Sequence, residues 1–441
     1  MIEALRNAWS LPDLRRRILI TVAILAIYRL CAHIPAPGVD REIVKAFLEQ
    51  GAQGGLMGVI DLLSGGAVSN FSVLAMGVYP YITASIILQL LIPIIPALER
   101  LQKEEGERGR QLLNQYQYYL TIPLALLQAV GQASLFEQQA SSLGDILPHF
   151  GLGAADILPT ITLLASMTAG TMLAVWLGQL ITESGIGQGV SIIILGGIVS
   201  RMPANLYQVA IGPLDIAGRV LSVAAFVLIL VVTVAGIVYV QEGVRRIPVH
   251  YAKRVRGRKV YQGTSTYIPL KINTAGMIPL IFAQSLLTFP AIIAQFFTSS
   301  TNAIVVSIAN AIINATTAQS DIYWPIYFIM VVGFTYFYTD VMVQQQDLPG
   351  NLQKQGGFIP GIRPGARTAQ YVNGVMRRIT LVGALFLGIV AILPWPVEKA
   401  LQTQNLLISS AGVLIVVGVV VDTMRQLEAQ LLMRHYEGFI K

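Results

Sequence analysis

Residues 245–263 read RRIPVHYAKRVRGRKVYQG, in which seven of the nineteen residues are Lys or Arg and none is acidic. Apolar runs over 218–240 and 272–296 bound this stretch. Each run is close to the ~20 residues that a helix needs to cross a ~30 Å hydrocarbon core. A dense cationic loop between two membrane-length runs predicts a polytopic membrane protein with the loop on the side where positive charge is retained.

Working outward, the same apolar length recurs over 18–34, 71–95, 113–136, 157–181, 186–204, 322–341, 376–395 and 405–425, which makes about ten spans. Composition agrees: 54% of the 441 residues are hydrophobic, 12% are charged and the mean hydropathy is +0.64, as expected where the solvent is partly lipid. The run at 186–204 is diluted by Gly187, Gly189, Gly196 and Gly197, which read as close-packing positions between membrane helices. GIGQG there lacks the third glycine of a dinucleotide loop. The run behind Arg15, Arg16 and Arg17 stops at Pro35, Pro37 and Gly38 without a small-residue cleavage pattern, so it is expected to stay as a membrane helix.

Charge orients the bundle. With the N-terminus inside, twenty-four of the thirty Lys and Arg residues fall on one side, in segments 6–17, 100–110, 241–271, 354–378 and 425–441. The opposite side receives Arg41, Lys45, Arg201, Arg219 and Lys399, and Arg29 lies in the first span. This is the positive-inside pattern, and it predicts cytoplasmic basic loops and cytoplasmic termini. An even number of spans lets the chain divide into a first half over 1–200, a connection over 201–217 and a second half over 218–441. Each half then holds five spans, and an odd number makes the second half enter inverted.

The apolar core narrows the function. Cys31 is the one cysteine, so no internal disulfide forms, and the four histidines are scattered; no metal or cofactor is expected. No Asp or Glu falls at mid-span, since Asp340 and Asp422 lie near span ends and Glu183 beyond one. Ion-coupled transporters place such groups at mid-membrane. No GxxxxGK[ST] loop is present either. The chain therefore reads as a passive, non-enzymatic conduit whose energy comes from a partner on the basic loops. A small-solute secondary transporter of equal helix count is the alternative, and a structural anchor a weaker third reading. Residues 56–63 form a short apolar piece between Gly54-Gly55 and Gly65-Gly66; at ~12 Å as a helix it is too short to span. It reads as a surface helix or as a hinged, re-entrant stopper, and the second fits backbone that lines a cavity.

Seven motifs carry a resemblance: GVYPYITASIILQLL (77–91), KEEGERGRQLLNQY (103–116), WLGQLITESGIGQGVSIII (176–194), RRIPVHYAKRVRGRKVY (245–261), STYIPLKINTAGMIP (265–279), GGFIPGIRPG (356–365) and RHYEGF (434–439). Together they resemble the SecY family, the central subunits of the bacterial protein-conducting channel, from residue 14 to the C-terminus. Nothing is carried over at 137–156 or 298–321. YPYI and the loop lengths look most like a cyanobacterial or plastid-type member, in a plasma or thylakoid membrane.

The resemblance implies an all-α clamshell of two five-helix halves around an hourglass pore. Its plug would be the helix at about 55–66, with Leu56, Met57, Val59, Ile60, Leu62 and Leu63. A pore ring would comprise Ile82, Ile86, Ile198, Leu286 and Ile415; of these, Ile82 and Ile86 also share a helical face by spacing. A lateral gate between spans 2–3 and 7–8 would carry Ser85, Gln89, Gln128, Asn273 and Gln284. Basic loops at about 241–271 and 342–375 would receive SecA or the ribosome through Arg245, Arg246, Lys253, Arg254, Arg256, Arg258, Lys259 and Arg363. Ribosomal RNA phosphates suit the guanidinium fork. SecE and SecG would be fellow subunits, and signal sequences would leave through the gate into membrane lipid.

Overall fold

The computed structural model describes residues 9, 11–40, 43–44, 67–68, 71–140, 147–148, 150–151, 153, 156–211, 216–251, 254–256, 259–261, 265–295, 297–298, 302–316, 320–346, 348–354, 356–363, 365–393, 395–396 and 410–437. Helices dominate. In chain order they are α1 (Pro12–Cys31), α2 (Tyr79–Leu91), α3 (Pro96–Lys103), α4 (Gly106–Ala140), α5 (Ile157–Ser184), α6 (Gly189–Ile211) and α7 (Ile216–Glu242). After strands β1 (Val244–Tyr251), β2 (Arg254–Arg256), β3 (Lys259–Tyr261) and β4 (Ser265–Lys271) come α8 (Ile278–Gln295), α9 (Ala303–Thr316), α10 (Tyr323–Gln346) and α11 (Leu348–Lys354). Strand β5 (Gly357–Phe358), α12 (Ala366–Ile392) and α13 (Ser410–Glu437) complete the order.

Taken singly, α5, α10 and α12 are long and apolar enough to cross a membrane. The expected span at 71–95 is not one straight helix. Residues 71–78 are turns, α2 is thirteen residues long, and α3 leaves it at 105°. Proline explains the break: Pro93 and Pro96 lack the N–H that a continuous helix would use. The Ile94 and Ile95 amides instead fold back onto the Leu91 carbonyl at 3.0 and 2.8 Å. The connection expected at 201–217 is also partly helical, since α6 continues through Pro203 to Ile211.

Glycine sets the closest approach. Gly189, at the start of α6, faces the Gly178 carbonyl of α5 so closely that a Cβ would stand 1.7 Å from that oxygen. The Thr182 hydroxyl oxygen accepts the Gly189 N–H at 2.9 Å and so satisfies one free donor of the new helix. Midway along α6, Arg29 of α1 donates to the Ser200 hydroxyl. Around this pair a continuous apolar core takes side chains from α1, α2, α5, α6, α7, α8, α10, α12 and α13. A second cluster, with Phe71 edge-on to Phe136 at 4.5 Å, seats the chain before α2 against α4 and α5. At one end α13 is tied to α7 by Arg425, which reaches Glu242 at 2.8 Å and the Gln241 carbonyl at 3.3 Å.

The segments read as basic loops are folded. β1 pairs antiparallel with β4, from Val244↔Lys271 to His250↔Ser265, and its other edge pairs with β5 through His250↔Phe358 and Tyr251↔Gly357. β2 and β3 form a separate hairpin.

Candidate functional site

Segments 241–271 and 342–375 are one platform. β5 joins the sheet beside β1, and Ile247, Val249 and Leu270 pack against Leu352, Ile359, Val372 and Met376 from α11, the β5 turn and α12. Alternation along β1 turns Ile247 and Val249 inward and leaves Arg246, Pro248 and His250 exposed. Arg246 is held in place because its guanidinium lies 4.8 Å from the centre of the Tyr267 ring on β4. Arg245 is exposed as well. Arg254, Arg256 and Lys259 take strand positions in the hairpin, with Arg256 opposite Lys259. Lys253 and Arg258 lie outside the described residues. Arg363 is exposed on a braced turn: the Ile362 N–H donates to Ile359 O at 3.0 Å and the Thr368 hydroxyl to Arg363 O at 3.0 Å. Gly361 and Gly365 take φ of 79° and 107° there, a region that side-chain-bearing residues avoid.

At mid-bundle, Ile82 and Ile86 of α2, Ile198 of α6 and Ile415 of α13 are buried in the same apolar cluster. Leu286 does not join them, being 38% exposed. One step along a helix swings a side chain by roughly 100°. On α8 that step separates Leu286 from Ser285, whose carbonyl accepts the Tyr79 hydroxyl of α2 at 3.3 Å. Ile281 lies one turn before Ser285 on the same face, and it is buried in the cluster with the other four.

The seam between α2 and α8 is polar. Of the residues expected at a lateral gate, Gln89 donates to Ser85 at 3.2 Å within α2, Gln128 of α4 donates to Thr83 at 3.4 Å, and Asn273 donates to Gly276 O at 3.0 Å. Gln284 is buried. Buried polar atoms remain without a partner among the described residues: Gln128 Oε1, Gln132 Nε2, Asn273 Oδ1 and Gln284 Oε1. The direct bridge is Tyr79 to Ser285. Tyr79 lay inside a motif legible in the sequence and Ile281 inside the apolar run over 272–296, but no spacing rule marks which polar group reaches across or which apolar one points inward. The six plug residues Leu56, Met57, Val59, Ile60, Leu62 and Leu63 lie outside the described residues.

The SecY family profile matches residues 72–424 of the chain. The protein translocase subunit SecY of Streptomyces scabiei is 42% identical over 449 residues, covering 100% of this chain and 100% of its own. Among solved structures, a protein-conducting channel superposes with a TM-score of 0.60 at 16% identity, covering 94% of this chain and 92% of its own. Sec61 in the canine ribosome–channel complex from the endoplasmic reticulum superposes with a TM-score of 0.59, also at 16% identity and with the same coverage. At that identity the two structures speak to the fold.

Proposed function

The chain belongs to the SecY family, and from that premise we propose how this protein translocase channel subunit conducts polypeptide. Unfolded secretory chains pass between two halves, α1–α6 and α7–α13, and transmembrane segments leave sideways where α2 and α4 meet α8 and α10. A partner at the platform supplies the drive, either SecA or a translating ribosome, with SecE and SecG as fellow subunits. The chain itself carries out no covalent chemistry. The platform faces the cytoplasm, as do both termini, and about ten spans cross the membrane.

The observation that carries this reading is the seam. α8 packs against α4 and α2, yet Gln284 Oε1 of α8 and Gln128 Oε1 of α4 are buried without a partner among the described residues, and Tyr79 carries the hydrogen bonding from α2 to α8. A permanent helix contact in lipid gains by satisfying such groups. A contact that must part for a passing segment gains by leaving them weakly bound. Ile82, Ile86, Ile198, Ile281 and Ile415 form the constriction, with Ile281 in the place first given to Leu286. Branched apolar side chains around one point resist ions by dewetting and yield to a chain.

Reconstitution with SecA, ATP and a secretory precursor tests the reading. Protease-protected precursor inside the vesicles is the expected result. Solute uptake driven by protons or sodium, without precursor protection, points to the secondary transporter instead.

A further inference from the structure

The chain turns back between α8 and α10 at the end of the bundle opposite the platform, because β4 leads into α8 and α10 leads back towards β5. At that turn lies α9, in a stretch over 298–320 without a single Asp, Glu, Lys, Arg or His. Its fourteen residues span only ~21 Å, too little to cross a bilayer. Both ends are finished. Asn302 Oδ1 accepts the Ile304 N–H at 3.1 Å as an N-cap, and the Thr316 hydroxyl donates to Ile312 O at 2.7 Å.

The helix has three faces. Ala309 is buried where α9 packs on α8 and α10. Ile304, Ile308 and Ile312, each four apart, share a second face and are exposed by 70%, 56% and 37%. Ser307, Asn310 and Asn314 are exposed on a third. The isoleucine row does not stand alone: Ile293 and Phe297 at the end of α8, and Ile322 and Ile329 at the start of α10, are exposed in the same way. On spans of a membrane protein such residues face acyl chains, and α9 joins the two spans.

We propose that α9 lies along the membrane interface, with Ile304, Ile308 and Ile312 among phospholipid acyl chains and Ser307, Asn310 and Asn314 towards the headgroups and water. Interfacial helices commonly combine an apolar face with a cationic one. Here the polar face is neutral, so acyl packing holds the helix and lipid charge does not. Because α9 packs on α8, it ties one end of the seam helix to the leaflet. This inference needs the chain to be membrane-embedded and is independent of what the channel conducts.

The test uses the intact complex with its partner subunits in vesicles of zwitterionic phospholipid. In a Cys31→Ser background, a nitroxide is attached at Ile304→Cys, Ser307→Cys, Ile308→Cys, Asn310→Cys, Ile312→Cys or Asn314→Cys, and its collisions with oxygen and with a water-soluble nickel chelate are compared. Oxygen should dominate at 304, 308 and 312, and the ratio should invert at 307, 310 and 314. The same pattern should appear when anionic phospholipid is mixed in. Nickel access at all six positions would place the helix in water, and an isoleucine row shielded from both reagents would mean that a protein covers it. Either result overturns the proposal, as does a pattern that appears only with anionic lipid.

Discussion

In the platform, β1 is hydrogen-bonded on both edges, and its Val249 is fully buried in a cluster with residues from α11, the β5 turn and α12. Across the seam, Tyr79 of α2 hydrogen-bonds Ser285 of α8, while the side-chain oxygens of Gln128 and Gln284 are buried without a partner among the described residues. A surface that receives a push must transmit it without deforming, and a backbone ladder over an apolar core does that. A seam that must part has the opposite requirement. Each orphaned polar group costs ~1–3 kcal/mol of interface stability, so under the proposed function a few of them would keep the closed state shallow.

The largest expected effect breaks the platform side of this contrast. Reversing Arg256, Arg258 and Arg363 to Glu removes three partner contacts of about 1 kcal/mol each, which amounts to roughly a hundredfold in partner affinity. Thermal unfolding of the bundle should not change. A triple variant that binds SecA and translocates at the wild-type rate refutes the docking assignment.

Two substitutions should move the seam in opposite directions. Gln284→Leu replaces an amide with an orphaned oxygen by an apolar group of similar size and should stabilise closure by about 1 kcal/mol, slowing signal-sequence insertion several-fold. Tyr79→Phe removes the bridge at a comparable cost to closure and should let precursors with weakened signal sequences pass. Insertion kinetics that shift the same way in both variants would show that these groups do not govern the gate.

A smaller effect decides the constriction. Ile281→Asn should raise the resting ion conductance of purified channels in planar bilayers, whereas Leu286→Asn should leave it near wild type, since Leu286 stands outside the buried cluster. The reverse outcome restores Leu286 to the ring. The smallest effect belongs to Tyr267→Leu. Losing the ring beneath Arg246 forfeits ~0.5–1 kcal/mol of cation–π attraction, a two- to fivefold weakening of partner binding measured by titration.

Much of this architecture is written in local composition. A membrane-length apolar run requires only a count of consecutive residues, and the charge bias between 245–263 and the opposite loops requires only their order along the chain. Glycine at 189 likewise declares close approach by its own covalent limits, whereas the prolines at 93 and 96, which break the span expected over 71–95, escape notice because the apolar run continues through them. The SecY motifs then connected those local readings to a conduit.

What needed the folded chain were the relations between residues far apart in sequence. Nothing within 357–358 foretells that this two-residue strand will complete the sheet begun at 244, because an edge strand is chosen by the partner that its backbone meets. In the same way Ser85, Gln89, Gln128 and Gln284 advertise polarity in apolar helices, but only helix rotation decides whether each faces its own helix, a neighbour or the seam. Leu286 and Ile281 differ by five positions on one helix, and both are plausible by composition. Tertiary packing buried one and exposed the other, since side-chain direction follows the turn of the helix and the placement of its neighbours, which no single segment encodes.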